Sequence, residues 1–241
     1  MVRLRGGVAV AALVLVTVSG CKSETAGASN PSGPAEPSGG SGAALTAVDS
    51  LTVKGRAPKT GYERDNFGTA WADTDSNHCD TRDDILKRDL KDVKFKEADC
   101  EVASGVLNSD PYSGKEITFK RGHSEIDIDH LVPLSDAWQK GAQQWDASKR
   151  IALANDPLNL LAVDAGTNRS KGDGDTATWL PPNKSYRCTY VAAQVAVKKK
   201  YGLWVTTAEK AAMKRVLSGC PDQSLPSGGN PTKAPARFHA D

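Results

Sequence analysis

Hydrophobic and polar positions divide the chain into a patterned middle and two ends that carry no core pattern. Residues 45–220 hold nearly all the periodic apolar positions. Leu45 to Val53 alternates over a short span, as either a helix or a strand would. Thr81-Arg82-Asp83-Asp84 predicts a helix start, with Thr81 as hydroxyl cap and an acid three residues on. Ile85, Leu86 and Leu90 then recur at helical spacing. Val93–Phe95, Glu101–Leu107 and Glu116–Phe119 read as short strands, the last two joined by turn chemistry from Asn108 to Gly114. Ser135 to Gln144 and Ala147 to Ala154 predict two helices, and Asn159–Val163 a short apolar strand. Tyr186 to Tyr201 predicts a long helix stopped by Gly202. Thr206-Thr207-Ala208-Glu209 has the form of a capping box before a last helix that reaches Leu217, with Gly219 as its C-terminal cap.

The two ends differ from this middle and from each other. Val8 to Val18 is a continuous apolar run behind Arg3 and Arg5. It is shorter than the roughly 20 residues that cross a bilayer, and it has the anatomy of a signal peptide over residues 1–20. Residues 21–44 are Ser, Gly, Pro and Ala with few large apolar groups, which predicts a flexible linker. Residues 221–241 contain four Pro and Gly228-Gly229 and predict a disordered tail.

Val18-Ser19-Gly20-Cys21 closes the apolar run. It resembles the lipobox of bacterial lipoproteins, which implies cleavage before Cys21 and lipid attachment at its thiol. The chain is then expected to be extracytoplasmic, lipid-anchored on the outer face of the cell membrane, or secreted if Cys21 is a spare thiol. Removing residues 1–20 takes two Arg and no acid from 31 basic and 29 acidic residues, leaving 29 of each. A neutral chain has no overall field to draw in a polyanion, so such a substrate needs a local basic patch. Lys198–Lys200 with Lys149, Arg150 and Lys184 are candidates, although each alone reads equally as a solvated helix end. Four further cysteines remain. Outside the cytosol an even set reads as two disulfides. Three connectivities are open, and the sequence-local one pairs Cys79 with Cys100 and Cys188 with Cys220. No CxxC pair favours the competing metal-bound reading.

The candidate chemistry lies between Asp127 and Asp173. Asp127-Ile128-Asp129-His130-Leu131-Val132-Pro133 places an acid beside a histidine where Pro133 stops a strand. Neighbours on a strand point to opposite faces, so only a strand end lets both serve one site. Asn159 precedes the next apolar strand. Asn168 follows a turn at Ala165-Gly166 and opens Asn-Arg-Ser-Lys-Gly-Asp. An Asn carbonyl oxygen is a hard neutral donor suited to Mg²⁺. By itself an Asp-His pair is more often a surface pair or a satisfied core histidine.

Asp-His-Leu-Val-Pro, then Asn159, then Asn168 with Arg-Ser-Lys, resembles the site of HNH (ββα-metal) nucleases in the variant with Asn at the third signature position. The wider run Ile128 to Lys184 resembles secreted actinobacterial HNH proteins related to the C-terminal nuclease domain of GmrS/GmrD-type modification-dependent restriction enzymes. The resemblance covers about residues 62–220. It implies an α+β fold: a ββα-metal motif embedded in a mostly helical domain, with a small disulfide-stapled α+β part on its N-terminal side. It implies a metal-dependent endonuclease using one divalent cation, Mg²⁺ first and Mn²⁺ second, on nucleic acid, DNA before RNA. Asp129 and Asn168 would hold the metal, and His130 would be the general base. Asn159 would keep the loop or ring of His130 in register, and Lys171 would contact a phosphate. Arg169 is a further phosphate or structural contact. Asn168 in place of His favours oxygen-loving cations over Zn²⁺. The Cys₄ zinc staple of many HNH domains is missing, and the two disulfides are expected to replace it.

Other residues have plainer readings. Asp127 reads as an exposed strand residue or a support for its neighbours, Asp156 and Asp164 as acids that tune the site or as ordinary turn acids, and Asp173 and Asp175 as loop acids. His78, His123 and His239 read as silent loop or tail residues. Trp138, Trp145, Trp179 and Trp204 read as core. The function from a different class is a catalytically silent envelope lipoprotein that binds nucleic acid or a protein partner.

Overall fold

The computed structural model describes residues 43–97 and 99–240. The expected signal peptide, Cys21 and most of the expected linker lie outside the described residues. Helix α1, Ala43–Ser50, begins within the segment expected to be linker and buries Ala44, Ala47 and Val48. Val53 then bridges to Val205. A 3-10 turn at Arg64–Phe67 drops Phe67 into the core.

Helix α2, Thr81–Asp89, leads into an antiparallel sheet of β1 (Lys91–Phe95), β2 (Val102–Leu107) and β3 (Ile117–Lys120), in that order. A separate antiparallel ribbon joins β4 (Ile126–His130) to β5 (Leu160–Asp164), in register from Ile126 opposite Asp164 to His130 opposite Leu160. Between these two strands the chain makes α3 (Leu134–Gln139), a 3-10 turn and α4 (Ala147–Ala154). After β5 come α5 (Ala165–Lys171), α6 (Arg187–Tyr201) and α7 (Thr207–Leu217).

Strand alternation decides what the ribbon carries. Ile126, Ile128, Leu160 and Ala162 pack with α2 and the three-stranded sheet. On the other face Leu161 and Val163 join α1, α6 and α7. Asp127 and Asp129 share that second face, so two acids sit where a buried strand normally carries apolar groups. Cys79 is joined to Cys100 and Cys188 to Cys220.

The structure differs from the local reading at several caps and turns. Asp80, not Thr81, caps α2, accepting from the backbone of Asp83 at 2.7 Å. The Thr81 hydroxyl instead donates to the carbonyl of Ala72 at 2.6 Å. The helix expected over 135–144 breaks after Gln139, where Gly141 takes φ 131°. The turn expected at Ala165-Gly166 is the first turn of α5, capped by Asp164, which accepts from the backbone and hydroxyl of Thr167 at 2.6 Å. The Thr206 hydroxyl caps α7 through Glu209, but the Glu209 side chain turns inward to buried lysines rather than back to the cap.

The tail expected to be disordered packs against the domain. Leu225, Ala234, Phe238 and Ala240 lie on the cluster built from α3, α4 and α6. Asp156 explains the path. Its buried carboxylate accepts from Lys200 at 2.6 Å, Tyr201 at 2.8 Å and the backbone of Asn230 at 3.2 Å. Gly229 has to be glycine there, because a Cβ would stand 2.0 Å from Asp156 Oδ1. Lys200 therefore anchors the tail, and of the candidate basic residues Lys198–Lys200 only Lys199 is exposed, since Lys198 is buried.

One acidic knot makes a testable energetic statement. Asn77 donates through its backbone to Asp73 at 3.1 Å and Asp75 at 3.2 Å, and through its side chain to Asp84 at 2.9 Å. Burial, then the charges of Asp75, Asp73 and Asp80, push the Asp84 carboxyl up to about 6. Its folded value lies above its unfolded one, so stability falls as pH rises through 6. Asp84→Asn keeps an acceptor for Asn77 and removes the charge. It is expected to stabilise the fold by ~1 kcal/mol at pH 7.5 in EDTA, after discounting for solvent screening. The gain should vanish at pH 4. Denaturant melts at the two pH values check this, and an equal gain at both would refute the charge argument.

Candidate active site

His130 ends β4 and is buried. Its Nε2 lies 2.9 Å from the carbonyl oxygen of Ala154 at the end of α4. A carbonyl only accepts, so Nε2 carries the proton and Nδ1 keeps a free lone pair. Burial, assisted by the charges of Arg64 and Lys171 and opposed by the Ala154 bond, pushes the ring down to about 3. His130 is thus neutral at physiological pH. The Trp71 ring lies parallel to it, 9° between planes and 6.3 Å between centroids. Both line a pocket with Arg64, Thr69 and Asn155 on its wall.

Asn159 fixes the loop that follows His130. It is wholly buried at the entry to β5. Its Oδ1 accepts from Val132 N–H at 2.8 Å, and its Nδ2 reaches the carbonyls of Val132 at 3.3 Å and Leu153 at 3.4 Å. Leu131 N–H donates to the Asn159 carbonyl at 2.8 Å. The amide therefore holds the loop against α4, the helix whose end receives the His130 proton.

The opposite face of β4 meets α5. Asp129 Oδ2 accepts from the Tyr112 hydroxyl at 2.5 Å, and the Lys171 ammonium lies 2.9 Å from the Asp129 carboxylate. Burial raises the Asp129 pKa, while Lys171 and Tyr112 oppose that rise. Lys171 also donates to the His130 carbonyl at 2.8 Å. Its side chain is 0% exposed. Expected on a substrate phosphate, Lys171 is instead an internal cation, because α5 packs its inner face on the ribbon and Asp129 is the nearest charge. Asn168 meets Asp127 rather than Asp129, donating at 3.1 Å. Asp127 is accordingly half-buried and bonded, not a free strand residue. Arg169 is exposed on the outer side of α5.

Among the described residues no three His, Cys, Asp or Glu side chains form a metal cage. Asp127, Asp129 and the amide oxygen of Asn168 are nonetheless hard oxygen donors on one side of the ribbon. That set fits Mg²⁺, which takes one or two carboxylates and completes its shell with water and phosphate.

Sequence reasoning missed Arg64, Trp71 and Tyr112. No local pattern marks them, since each reaches the site only through tertiary packing. It also misjudged Asp175, whose buried carboxylate pairs with Lys140 at 2.8 Å rather than standing in a loop.

Residues 80–216, more than half of the chain, match the family described as GmrSD restriction endonucleases, C-terminal domain. A protein of Arthroderma benhamiae named as an uncharacterized secreted protein is 42% identical over 179 residues, covering 73% of this chain and 84% of that one. No solved structure matches the chain. The family match runs from the cap of α2 into α7, so it takes in both faces of the ribbon with Asp129, His130, Asn159 and Asn168. The chain belongs to the family of GmrSD restriction endonuclease C-terminal domains.

Proposed function

We propose that the chain is a metal-dependent endonuclease of HNH type that hydrolyses phosphodiester bonds of nucleic acid, with DNA the preferred substrate. The observation that carries this reading is His130: a neutral imidazole in a pocket, its Nε2–H committed to a backbone carbonyl and Nδ1 left as proton acceptor. In that arrangement Nδ1 takes the proton of a water as the water oxygen attacks phosphorus. Asp129 and Asn168 would hold a divalent cation, Mg²⁺ or Mn²⁺, to stabilise charge on the pentavalent phosphorus and the departing oxygen. Asp127 orients the Asn168 amide, and Asn159 fixes the loop after His130. Burial raises the Asp129 pKa, and Lys171 and Tyr112 oppose that rise. The Lys171 ammonium stands beside any cation that shares Asp129, which favours weak metal binding.

The lipobox-like run ending in Cys21, the two disulfides and the secreted name of the relative support action outside the cytoplasm, on a lipid anchor at the membrane surface. Incubation of the intact chain with supercoiled plasmid in Mg²⁺, Mn²⁺ or EDTA tests the reading. Nicking or linearisation with Mg²⁺ or Mn²⁺ that EDTA stops is the expected result. A folded chain inert on DNA and RNA in every cation would sink it and leave the binding lipoprotein as the better account.

A further inference from the structure

The loop that roofs the His130 pocket lies N-terminal to the family match, and it is built rather than draped. Phe67 anchors one end in the core at 1% exposure, in edge contact with Tyr62 at 6.2 Å. Arg150 of α4 donates to the carbonyl of Asn66 at 2.7 Å. Gly68 has φ 78° and approaches α4 so closely that a Cβ would lie 2.6 Å from Ile151. At the far end the Trp71 and Ala72 carbonyls accept from the backbone and hydroxyl of Thr81. Trp71 itself has φ 62°, a left-handed conformation that non-glycine residues seldom adopt.

This frame holds Arg64 at the pocket mouth, exposed, on a 3-10 turn whose cap is closed in both directions by Glu63 and Asn66. No ion pair joins the Arg64 guanidinium to a carboxylate among the described residues. Four lysines near the site are spent: Lys171 on Asp129, Lys140 on three acids, Lys198 on Asp136 and Glu209, and Lys200 on Asp156, while Arg169 stands on the outer side of α5 and does not line the His130 pocket. A near-neutral protein acting on a polyanion needs an uncommitted positive group beside its general base. A guanidinium also matches phosphate oxygens two at a time.

We propose that Arg64 is the phosphate-holding residue of this site, gripping the nucleic-acid backbone in the pocket that it lines together with His130. This rests on the nuclease reading above and supplies the contact that Lys171, enclosed in the ribbon, does not make. The roof loop thereby becomes part of the substrate site, with the Trp71 ring held parallel to the imidazole.

The test is binding and cleavage by the intact chain with Arg64→Ala, Arg64→Lys and, as a control of equal charge change, Lys214→Ala on α7. Binding of a fluorescent DNA duplex is followed by anisotropy across a salt series in EDTA, and plasmid cleavage is followed in Mg²⁺. Arg64→Ala should weaken binding about 10-fold or more at low salt and raise KM with kcat little changed. The slope of log K against log salt should fall by about 0.9, one phosphate contact. Arg64→Lys should recover the slope but only part of the affinity, and Lys214→Ala should leave both as in the wild type. Since Arg64 is exposed, melting temperatures should agree across the set. Arg64→Ala with wild-type slope and KM would overturn the inference while leaving the nuclease reading intact. A wild type that neither binds nor cleaves would overturn both.

Discussion

Replacing His130 with Ala is expected to lower the rate of plasmid cleavage by about 10²–10⁴-fold, the range a positioned general base supplies. The loss should fall on kcat, because the imidazole acts on the water rather than on substrate affinity. Truncation also leaves the Ala154 carbonyl without its donor in a buried place, which costs about 1–3 kcal/mol, so a lowered but still cooperative melt is part of the expected result. His130→Asn separates the two effects: an amide can donate toward Ala154 yet is no base at neutral pH, so it should recover stability and not rate. Protonation gives a second signature. With the ring pushed down to about 3 by burial, Nδ1 stays available throughout the neutral and mildly acidic range. The acid limb of kcat/KM should therefore not have its midpoint at the ordinary histidine value near 6.5. The depression has a stability counterpart of definite sign. The unfolded chain binds the proton first, so stability is lost as pH falls from 6.5 toward 3. Single-turnover cleavage and melts over pH 5–8 measure all of this, and His130→Ala within 3-fold of wild type would dispose of the general-base role.

Much of the scaffold around His130 was legible because it is written in short-range pattern. Alternation in Ile126–His130 and the apolar run Leu160–Asp164 specify two strands, and Pro133 marks where the first must end. Helical spacing and Gly202 specify α6 and its stop. What stayed hidden depends on partners far along the chain. Lys198-Lys199-Lys200 at a helix end has the local appearance of a solvated cationic cap, yet Lys198 is buried against Asp136, 62 residues away. A Pro-, Gly- and Ser-rich tail has no core pattern of its own, and it is ordered by what Asp156, Lys200 and the α4 surface lack without it. Lys171 was legible as important but not in its role, because a motif records which residue stands at a position and not which way the helix is turned. Arg64 and Trp71 were illegible for the same reason. Their contribution is conferred by an anchored loop rather than by a spacing.

The largest effect on stability is expected at Glu209, in the buried charge network that ties both ends of the site together. Lys140 lies 2.7 Å from Asp136, 2.8 Å from Asp175 and 2.6 Å from Glu209. Lys198 lies 3.0 Å from Asp136 and 2.9 Å from Glu209. All five side chains are at most 3% exposed, and Arg56, at 33%, adds a third cation on Asp136 and Asp175. Three cations face three carboxylates, so the network is balanced. Burial disfavours charge on Lys198, but Asp136 and Glu209 outweigh it and hold its pKa above the ordinary value. Glu209→Ala leaves two buried ammonium groups sharing Asp136 and Asp175 without the acid that joined them. Breaking a buried pair in this way costs about 3–5 kcal/mol, or roughly 10 °C in Tm for a domain of this size. Removing a cation with the acid, as in Lys198→Met with Glu209→Met, restores the balance and fills the space. That pair should recover most of the loss, since apolar replacement of a whole buried pair is often close to neutral. A double variant no better than Glu209→Ala would show that shape at α7, not charge, sets the penalty. The consequence reaches catalysis through connectivity. Asp136 and Lys140 belong to the segment that begins just after His130 and Pro133, and Asp175 follows Lys171 by four residues. Loosening the network should therefore reduce cleavage in Glu209→Ala even well below its melting temperature, and the double variant should restore rate and stability together.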